Sequence, residues 1–295
     1  MTGTQRLGPR PWLVLGGGGV KGLAHIGAWR ALREERARSG LEVEGIIGTS
    51  IGALVGACAA GGMDWREQQD RALALQKSDI LRVHRRAVWV NGIRQRSIFR
   101  GSELEGYIRR TIPVSAWQEL ALPFQVNAVD LATGETVWFG PHARTDRSVS
   151  SALYASAALP VFFPPSRDGE TYLVDGGVGD ALPLRRPLEM GATGIIAVDV
   201  GSGPEEEPQK VVRDGMLAVH QRVFAIMSGR RRREKVRQWD GPPLLYVRPR
   251  LDGYSTFDFE NVEYFVEEGH RAMRAALEGD AGELLEAGEG ATPPG

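Results

Sequence analysis

Short, almost unbroken apolar runs alternate along the chain with longer stretches whose apolar positions recur every three or four residues. That is the pattern of strands buried on both faces and joined by helices. Trp12-Leu13-Val14-Leu15 predicts a first strand, ended by Gly16 to Gly19, and residues 20–38 predict a helix with Leu23, Ile26, Trp29, Ala31 and Leu32 near one face. Gly45-Ile46-Ile47 predicts a second strand, and the apolar stretch from Ala53 to Ala60 a helix behind it. A polar helix is expected over residues 63–76. Residues 79–100 read as an irregular basic segment, with Trp89 and Ile93 scattered through it, that either covers a site or is plain surface. Ser102 and Glu105 stand at capping-box spacing and predict a helix to Thr111. Residues 122–129 and 135–139 predict strands about a Thr133-Gly134 turn. Residues 148–159 predict a helix of small residues stopped by Pro160.

Farther on, Tyr172-Leu173-Val174-Asp175 predicts a strand that ends in an acid and glycines. Residues 194–200 read as a parallel-type strand, residues 211–227 as an amphipathic helix with a basic continuation over 229–238, and residues 244–247 as the last strand. Residues 257–277 predict a closing helix with Val262, Phe265, Val266, His270, Met273 and Leu277 roughly on one face. Residues 279–295, rich in Gly, Glu and Pro, predict a disordered tail, and residues 1–11 an N-terminal extension. Residues 12–278 are then expected to form one domain, and 295 residues with 42 % hydrophobic content suffice for its core.

Charge and cysteine content remove several function classes. With a formal net charge of -1, no global field draws the chain to nucleic acid. Cys58 is the only cysteine, which excludes a disulfide within the chain and a zinc-cysteine cluster; inside an apolar helix it reads as a buried core residue. Neither a signal-peptide pattern before Trp12 nor a membrane-length apolar stretch is found, so a soluble cytoplasmic protein is expected.

Candidate chemistry centres on Gly48-Thr49-Ser50-Ile51-Gly52, a GxSxG placed where a strand turns sharply into a helix. Such a turn lifts a serine hydroxyl clear of the backbone at the positive end of a helix, and the two glycines relieve the crowding. Upstream, Gly17-Gly18-Gly19-Val20-Lys21-Gly22 presents bare backbone N–H groups at a strand-to-helix turn. These suit either a dinucleotide pyrophosphate or the oxyanion of an acyl-transfer intermediate. The second strand ends in Gly48-Thr49-Ser50 rather than in the acid that would hold a ribose. Gly22 after Lys21 rules out a Walker motif. Loop and serine end neighbouring parallel strands of one βαβ unit, at the carboxyl edge where open α/β sheets place their sites.

A serine needs a base. The five histidines, His25, His84, His142, His220 and His270, lie on helices or in polar loops, and none stands beside glycines at a strand end. Asp175, before Gly176 and Gly177, does. A Ser50–Asp175 dyad is therefore favoured, the carboxylate accepting the proton while backbone N–H groups stabilise the oxyanion. A Ser-His-Asp esterase, or a non-catalytic regulatory or acyl-binding protein on the same fold, are the alternatives.

In that order, the glycine loop, the GxSxG and Asp175-Gly176-Gly177 resemble the three signature blocks of the patatin-like phospholipase family. The blocks around Ala155-Ser156-Ala157-Ala158-Leu159-Pro160 and Glu268-Gly269-His270 look similar too. The resemblance implies a three-layer α/β/α sandwich with a mostly parallel sheet, a dyad at Ser50 and Asp175, and an oxyanion hole from the backbone of Gly18 and Gly19. It also implies an acyl ester of a lipid as substrate, cleaved in the manner of a phospholipase A or lysophospholipase through an acyl-enzyme. No cofactor or metal ion is called for. Lys21 falls at the family's basic position, either a cation that steadies the loop or a solvated lysine. Gly16 stands where some members have Asp, and Ala181 where many have Asn.

Finally, Val219, Val223, Ile226 and Met227 precede Arg230-Arg231-Arg232-Arg233, Lys235 and Arg237. The cluster reads either as a peripheral contact with an anionic membrane, on its inner surface, or as a solvated face pairing with Glu234 and Asp240.

Overall fold

In the computed structural model, which describes residues 7–83, 96–201, 208–279 and 283–285, the apolar runs pair into one mixed sheet. The strands are β1 (Trp12–Leu15), β2 (Ile46–Gly48), β3 (Phe124–Asp130), β4 (Thr136–Phe139), β5 (Ser166–Asp168), β6 (Thr171–Asp175), β7 (Ile195–Val198), β8 (Leu244–Val247) and β9 (Glu283–Leu285). They lie in the order β5-β6-β3-β2-β1-β7-β8-β9, with β4 also paired to β3. The centre, from β3 through β2, β1 and β7 to β8, is parallel; β4, β5, β6 and β9 add antiparallel pairs at the two flanks.

β1 shows why its sequence lacks alternation. All four residues are buried; Leu13 and Leu15 enter the larger core, while Trp12 and Val14 enter a second core on the opposite face with Leu182, Leu184, Val236 and Trp239. A strand covered on both faces has no polar side to display. The larger core is roofed by α1 (Ala24–Ser39), α2 (Ile51–Ala60), α3 (Trp65–Leu73), α4 (Gly101–Thr111), α5 (Val149–Ala157) and, late in the chain, the helix Val262–Glu278. The other face is covered by α6 (Met216–Arg237) and the turn Arg186–Glu189. These layers make the α/β/α sandwich. The closing helix Val262–Glu278, α7, lies on α1 backbone to backbone: a Cβ on Gly27 would stand 1.8 Å from Val266 O, and one on Gly269 1.9 Å from Ala24 O.

Several expectations change. The capping box is not formed: α4 starts at Gly101 behind Arg100, no side chain caps it, and Glu105 pairs with Arg109 instead. A Cβ on Gly101 would stand 2.2 Å from Tyr154 Oη, so the helix starts on a residue that tolerates no side chain. The closing helix begins at Val262, releasing Phe257 and Phe259 to line a cavity. β8 is not the last strand, because residues 283–285 of the expected tail pair with it as β9. Residues 1–6, 280–282 and 286–295, like residues 84–95 of the expected cover, lie outside the described residues; Leu7 of the N-terminal extension is fully buried. Cys58 is buried and its thiol is pushed up to about 12, as an inert core residue's would be.

The helix expected over 211–227 breaks at Asp214-Gly215, and its polarity runs opposite to an ordinary surface helix. Met216, Val219, Val223, Ile226 and Met227 are 40–83 % exposed, whereas Arg232 of the basic cluster is buried.

Gly269→Ala tests the contact between α1 and α7. Forcing these helices apart is expected to lower the unfolding free energy by about 1–3 kcal/mol in urea denaturation, and an unchanged midpoint would contradict the contact.

Candidate active site

Pairing along β3 brings the chemistry together. Val126 pairs with both Gly48 of β2 and Phe139 of β4, while Ala128 pairs with both Val137 of β4 and Asp175 of β6. A strand has two edges, so β2 and β6 share the edge that β4 does not occupy. They approach each other head to head. β2 arrives parallel to β3 and ends at Gly48; β6 arrives antiparallel and ends at Asp175, two residues farther along, or about 6–7 Å. Asn127 sits between these positions and is fully buried. Its Oδ1 accepts from Thr49 Oγ1 at 2.9 Å, and its Nδ2 donates to Asp180 O at 2.9 Å and Gly176 O at 3.4 Å. One amide thus ties the turn after β2 to the loop after β6. The approach is so close that a Cβ on Gly176 would stand 2.4 Å from Asn127 Oδ1.

Ser50 occupies the turn into α2 with φ 55° and ψ -122°, a left-handed conformation that costs a non-glycine residue free energy. Its surroundings hold it there. Ser50 N–H donates to Ser156 Oγ at 2.9 Å, and Ser50 O accepts from Ala53 and Leu54 in the first turn of α2. Gly48 and Gly52 pack against the backbone of Ala53 and of Leu15. The same C-terminal end of α5 anchors Asp175, whose N–H donates to Ala158 O at 3.0 Å, while Gly176 N–H donates to Ser156 O. Asp175 Oδ1 accepts from Gly177 N–H at 2.7 Å, and Asp175 lines the same cavity as Ser50. Burial pushes this carboxyl up to about 6, against the Gly177 amide and the neighbouring Ser50 hydroxyl, which pull it down.

The glycine loop closes over Ser50, with Gly17 Cα so near that a Cβ there would contact Ser50 Cβ at 3.5 Å. Gly16 N–H donates to Val198 O, Gly17 N–H to Ala181 O and Val20 N–H to Thr256 O. Among the described residues no acceptor takes the N–H groups of Gly18 and Gly19. Gly19 has φ 66°. Ala181 therefore supports the loop through its backbone, which requires no side-chain amide at that position. Lys21 is buried beneath the loop beside Gly22, which packs on Ile51; it is not a solvated lysine. Burial lowers its ammonium to about 8 against the pull of Asp252, and Nζ meets no hydrogen-bond partner among the described residues.

Gly18, Gly19, Ser50 and Asp175 form the polar end of a cavity of about 140 Å³. Its walls are apolar: Leu54, Leu104, Ile108, Leu153, Phe162 and Phe163 on the larger-core side, with His220, Phe224 and Ala225 of α6 and Phe257 and Phe259 across from them. Of the other histidines, His25 is buried and donates Nε2–H to Gly16 O at 2.8 Å; burial lowers its ring to about 4, so it stays neutral. His270 pairs with Glu34, and His84 lies outside the described residues. Sequence reasoning missed Asn127 and Ser156 as site residues. The available signal was a polar side chain within an apolar run, Gln125 and Asn127 in β3 and Ser156 in α5.

Comparison with known proteins identifies a family. The sequence model of the patatin-like phospholipase family matches residues 13–188, which include the loop, Ser50 and Asp175. An uncharacterized NTE family protein of Mycobacterium tuberculosis is 35 % identical over 213 residues, 71 % of this chain and 54 % of that protein. The lysophospholipase nte1 of Aspergillus fumigatus is 28 % identical over 301 residues, 90 % of this chain and 18 % of that protein. The chain thus spans about half the length of its mycobacterial relatives and a smaller share of the fungal one. In structure, VipD from Legionella pneumophila shares the fold, with a TM-score of 0.52 at 16 % identity over 94 % of this chain and 68 % of VipD. By its matched blocks, and by the fold that carries them, the chain belongs to the patatin-like phospholipase family.

Proposed function

We propose that the protein is a serine acyl hydrolase acting on acyl esters of lipids, of phospholipase A or lysophospholipase type, with Ser50 as nucleophile and Asp175 as base. The observation that carries this reading is that Ser50, Asp175, Gly18 and Gly19 meet at the polar end of one apolar cavity. The acyl chain lies along Leu104, Ile108 and Leu153, which brings its ester carbonyl to Ser50. Attack by Ser50 Oγ forms the C–O bond as Asp175 takes the hydroxyl proton, and the carbonyl oxygen becomes an oxyanion held by Gly18 and Gly19. Collapse expels the alcohol, which takes the proton from Asp175, and leaves an acyl-enzyme. Water then repeats the sequence and releases the fatty acid. The name of the Aspergillus relative, lysophospholipase, supports the substrate class.

Ser50→Ala and Asp175→Asn are each expected to lower kcat on a nitrophenyl ester by at least about 10³-fold while remaining folded, and a fluorophosphonate should label Ser50. Full activity in either variant would remove the dyad, and labelling of wild type elsewhere would remove the nucleophile. A non-catalytic acyl-binding protein would show neither turnover nor labelling.

The pH profile follows from Asp175. The base must be ionised, so kcat/KM should rise with pH about a midpoint near 6, being about tenfold lower at pH 5 than on the plateau. His220 is the histidine that lines the cavity among the described residues. In the dyad reading, His220→Ala keeps that midpoint and loses less than about tenfold in kcat. Loss of the midpoint, or of about a hundredfold or more in rate, would favour a Ser-His-Asp esterase.

The site is also proposed to meet its substrate at a membrane surface, as a peripheral protein of the cytoplasmic side. Among the described residues no helix is long and apolar enough to cross a membrane. The support comes from α6, whose inner side lines the cavity and whose outer stripe of Met216, Val219, Val223 and Ile226 runs on into exposed Arg230, Arg233 and Arg237. The paired-face alternative changes partners: Lys235 pairs with Asp180, Arg231 donates to Val178 O, and Asp240 pairs with Arg185. Apolar insertion with about 1 kcal/mol per exposed arginine suffices for reversible docking. Ser50→Ala protein should co-sediment with anionic vesicles at low salt, and adding Val223→Glu and Ile226→Glu should weaken that binding at least about tenfold. Absence of binding, or equal binding by the double variant, would contradict the contact.

A further inference from the structure

The four consecutive arginines at 230–233 do not share a role. Arg230 and Arg233 are exposed and Arg231 donates to the carbonyls of Val178 and Gly179, whereas Arg232 turns inward from α6 and is buried. Arg232 Nη1 donates to Gly17 O at 3.2 Å and lies 3.1 Å from Asp199 Oδ1. Asp199, just past β7, also accepts from Gly201 N–H at 2.9 Å and from Tyr246 Oη–H at 2.7 Å. Burial pushes the Asp199 carboxyl up, but the Arg232 guanidinium, the Tyr246 hydroxyl and the Gly201 amide outweigh it and hold the carboxyl below its ordinary value. Taking an ion pair out of water is costly, and an apolar pair of like volume would fill the space at lower cost. What the pair does here is reach a particular carbonyl.

That carbonyl is half of the peptide unit whose other half is Gly18 N–H. In a planar trans unit the C=O and N–H point in opposite directions. A guanidinium fixed on Gly17 O therefore sets where Gly18 N–H points, and its charge strengthens that N–H as a donor. The preceding carbonyl, Gly16 O, is fixed in turn by His25. Glycines contribute no side chains to hold this loop, so its aim depends on groups that grip its backbone.

We infer that Arg232 is a positioning residue for the oxyanion hole: anchored by Asp199 and Tyr246, it holds the Gly17 carbonyl and aims Gly18 N–H at the place where the substrate oxyanion forms. The inference rests on the proposed Ser50 hydrolase.

The test uses the full chain carrying Arg232→Lys, which keeps the charge but loses the guanidinium fork, and Tyr246→Phe, which removes one anchor of Asp199. For Arg232→Lys, kcat on a nitrophenyl ester should fall about 10–100-fold with KM within about threefold, and the rate of fluorophosphonate labelling of Ser50 should fall in parallel. Affinity for a fluorescent fatty acid, which reports the apolar cavity, should match wild type. Tyr246→Phe should show the same division with a smaller loss, about three- to tenfold. It decides alone if circular dichroism shows that Arg232→Lys is unfolded. Unchanged kcat in the folded variants would overturn the inference. So would a parallel loss of fatty-acid affinity and kcat, which is what a merely structural role produces. A wild-type protein with neither turnover nor labelling at Ser50 would instead refute the hydrolase reading, and this inference with it.

Discussion

Everything at the site depends on two strand ends meeting along one edge of β3. β2 and β6 run toward each other there, and the turns that follow them are tied together by the side chain of Asn127, through the Thr49 hydroxyl and the Asp180 carbonyl. A buried amide can serve both ends because it carries an acceptor and a two-proton donor, and each is used. Replacing it by an apolar residue would leave Thr49 Oγ1 and the carbonyl of Asp180 without that partner in a site closed to water, a cost of about 1–3 kcal/mol per group. The spacing it enforces brings Ser50 and Asp175, more than a hundred residues apart in the chain, to one cavity.

Two further constraints follow from that meeting. Ser50 is held in a left-handed conformation by the end of α5, through Ser156, and the same end of the helix holds Asp175. Strain in the turn is thus borne by the helix that also anchors Asp175. Burial that encloses Asp175 raises its affinity for a proton, which makes it a stronger base than an exposed carboxylate. The Arg232–Asp199 pair adds a buried charge at the Gly17 carbonyl of the glycine loop, where Arg232 also lines the cavity. The glycine loop, Ser50 and Asp175 are thus each gripped through their backbone by neighbouring elements.

Much of this was legible in the sequence. Unbroken apolar runs marked the parallel centre of the sheet, and glycines beside Ser50 and Asp175 marked places where backbones come close. What was not legible has physical causes. The antiparallel approach of β6 depends on pairing between residues far apart in sequence, and nothing local encodes it. Asn127 and Ser156 are single polar residues in apolar elements, recognisable only once their partners are beside them. Arg232 was masked by its neighbours: in a row of four arginines, only the buried partners Asp199 and the Gly17 carbonyl show which one turns inward. Ser102 and Glu105 had the spacing of a cap, yet the helix starts one residue earlier, at Gly101, with no side-chain cap.

The central claim is that an acyl group passes through Ser50 with Asp175 as its base. Mass spectrometry of the protein quenched in acid within its first turnovers on a long-chain nitrophenyl ester tests this most directly. The account predicts the acyl mass on the peptide that contains Ser50, formed as a burst with nitrophenol release and absent in Asp175→Asn on the same time scale. Turnover with no acylated peptide, or acylation at another residue, would contradict it.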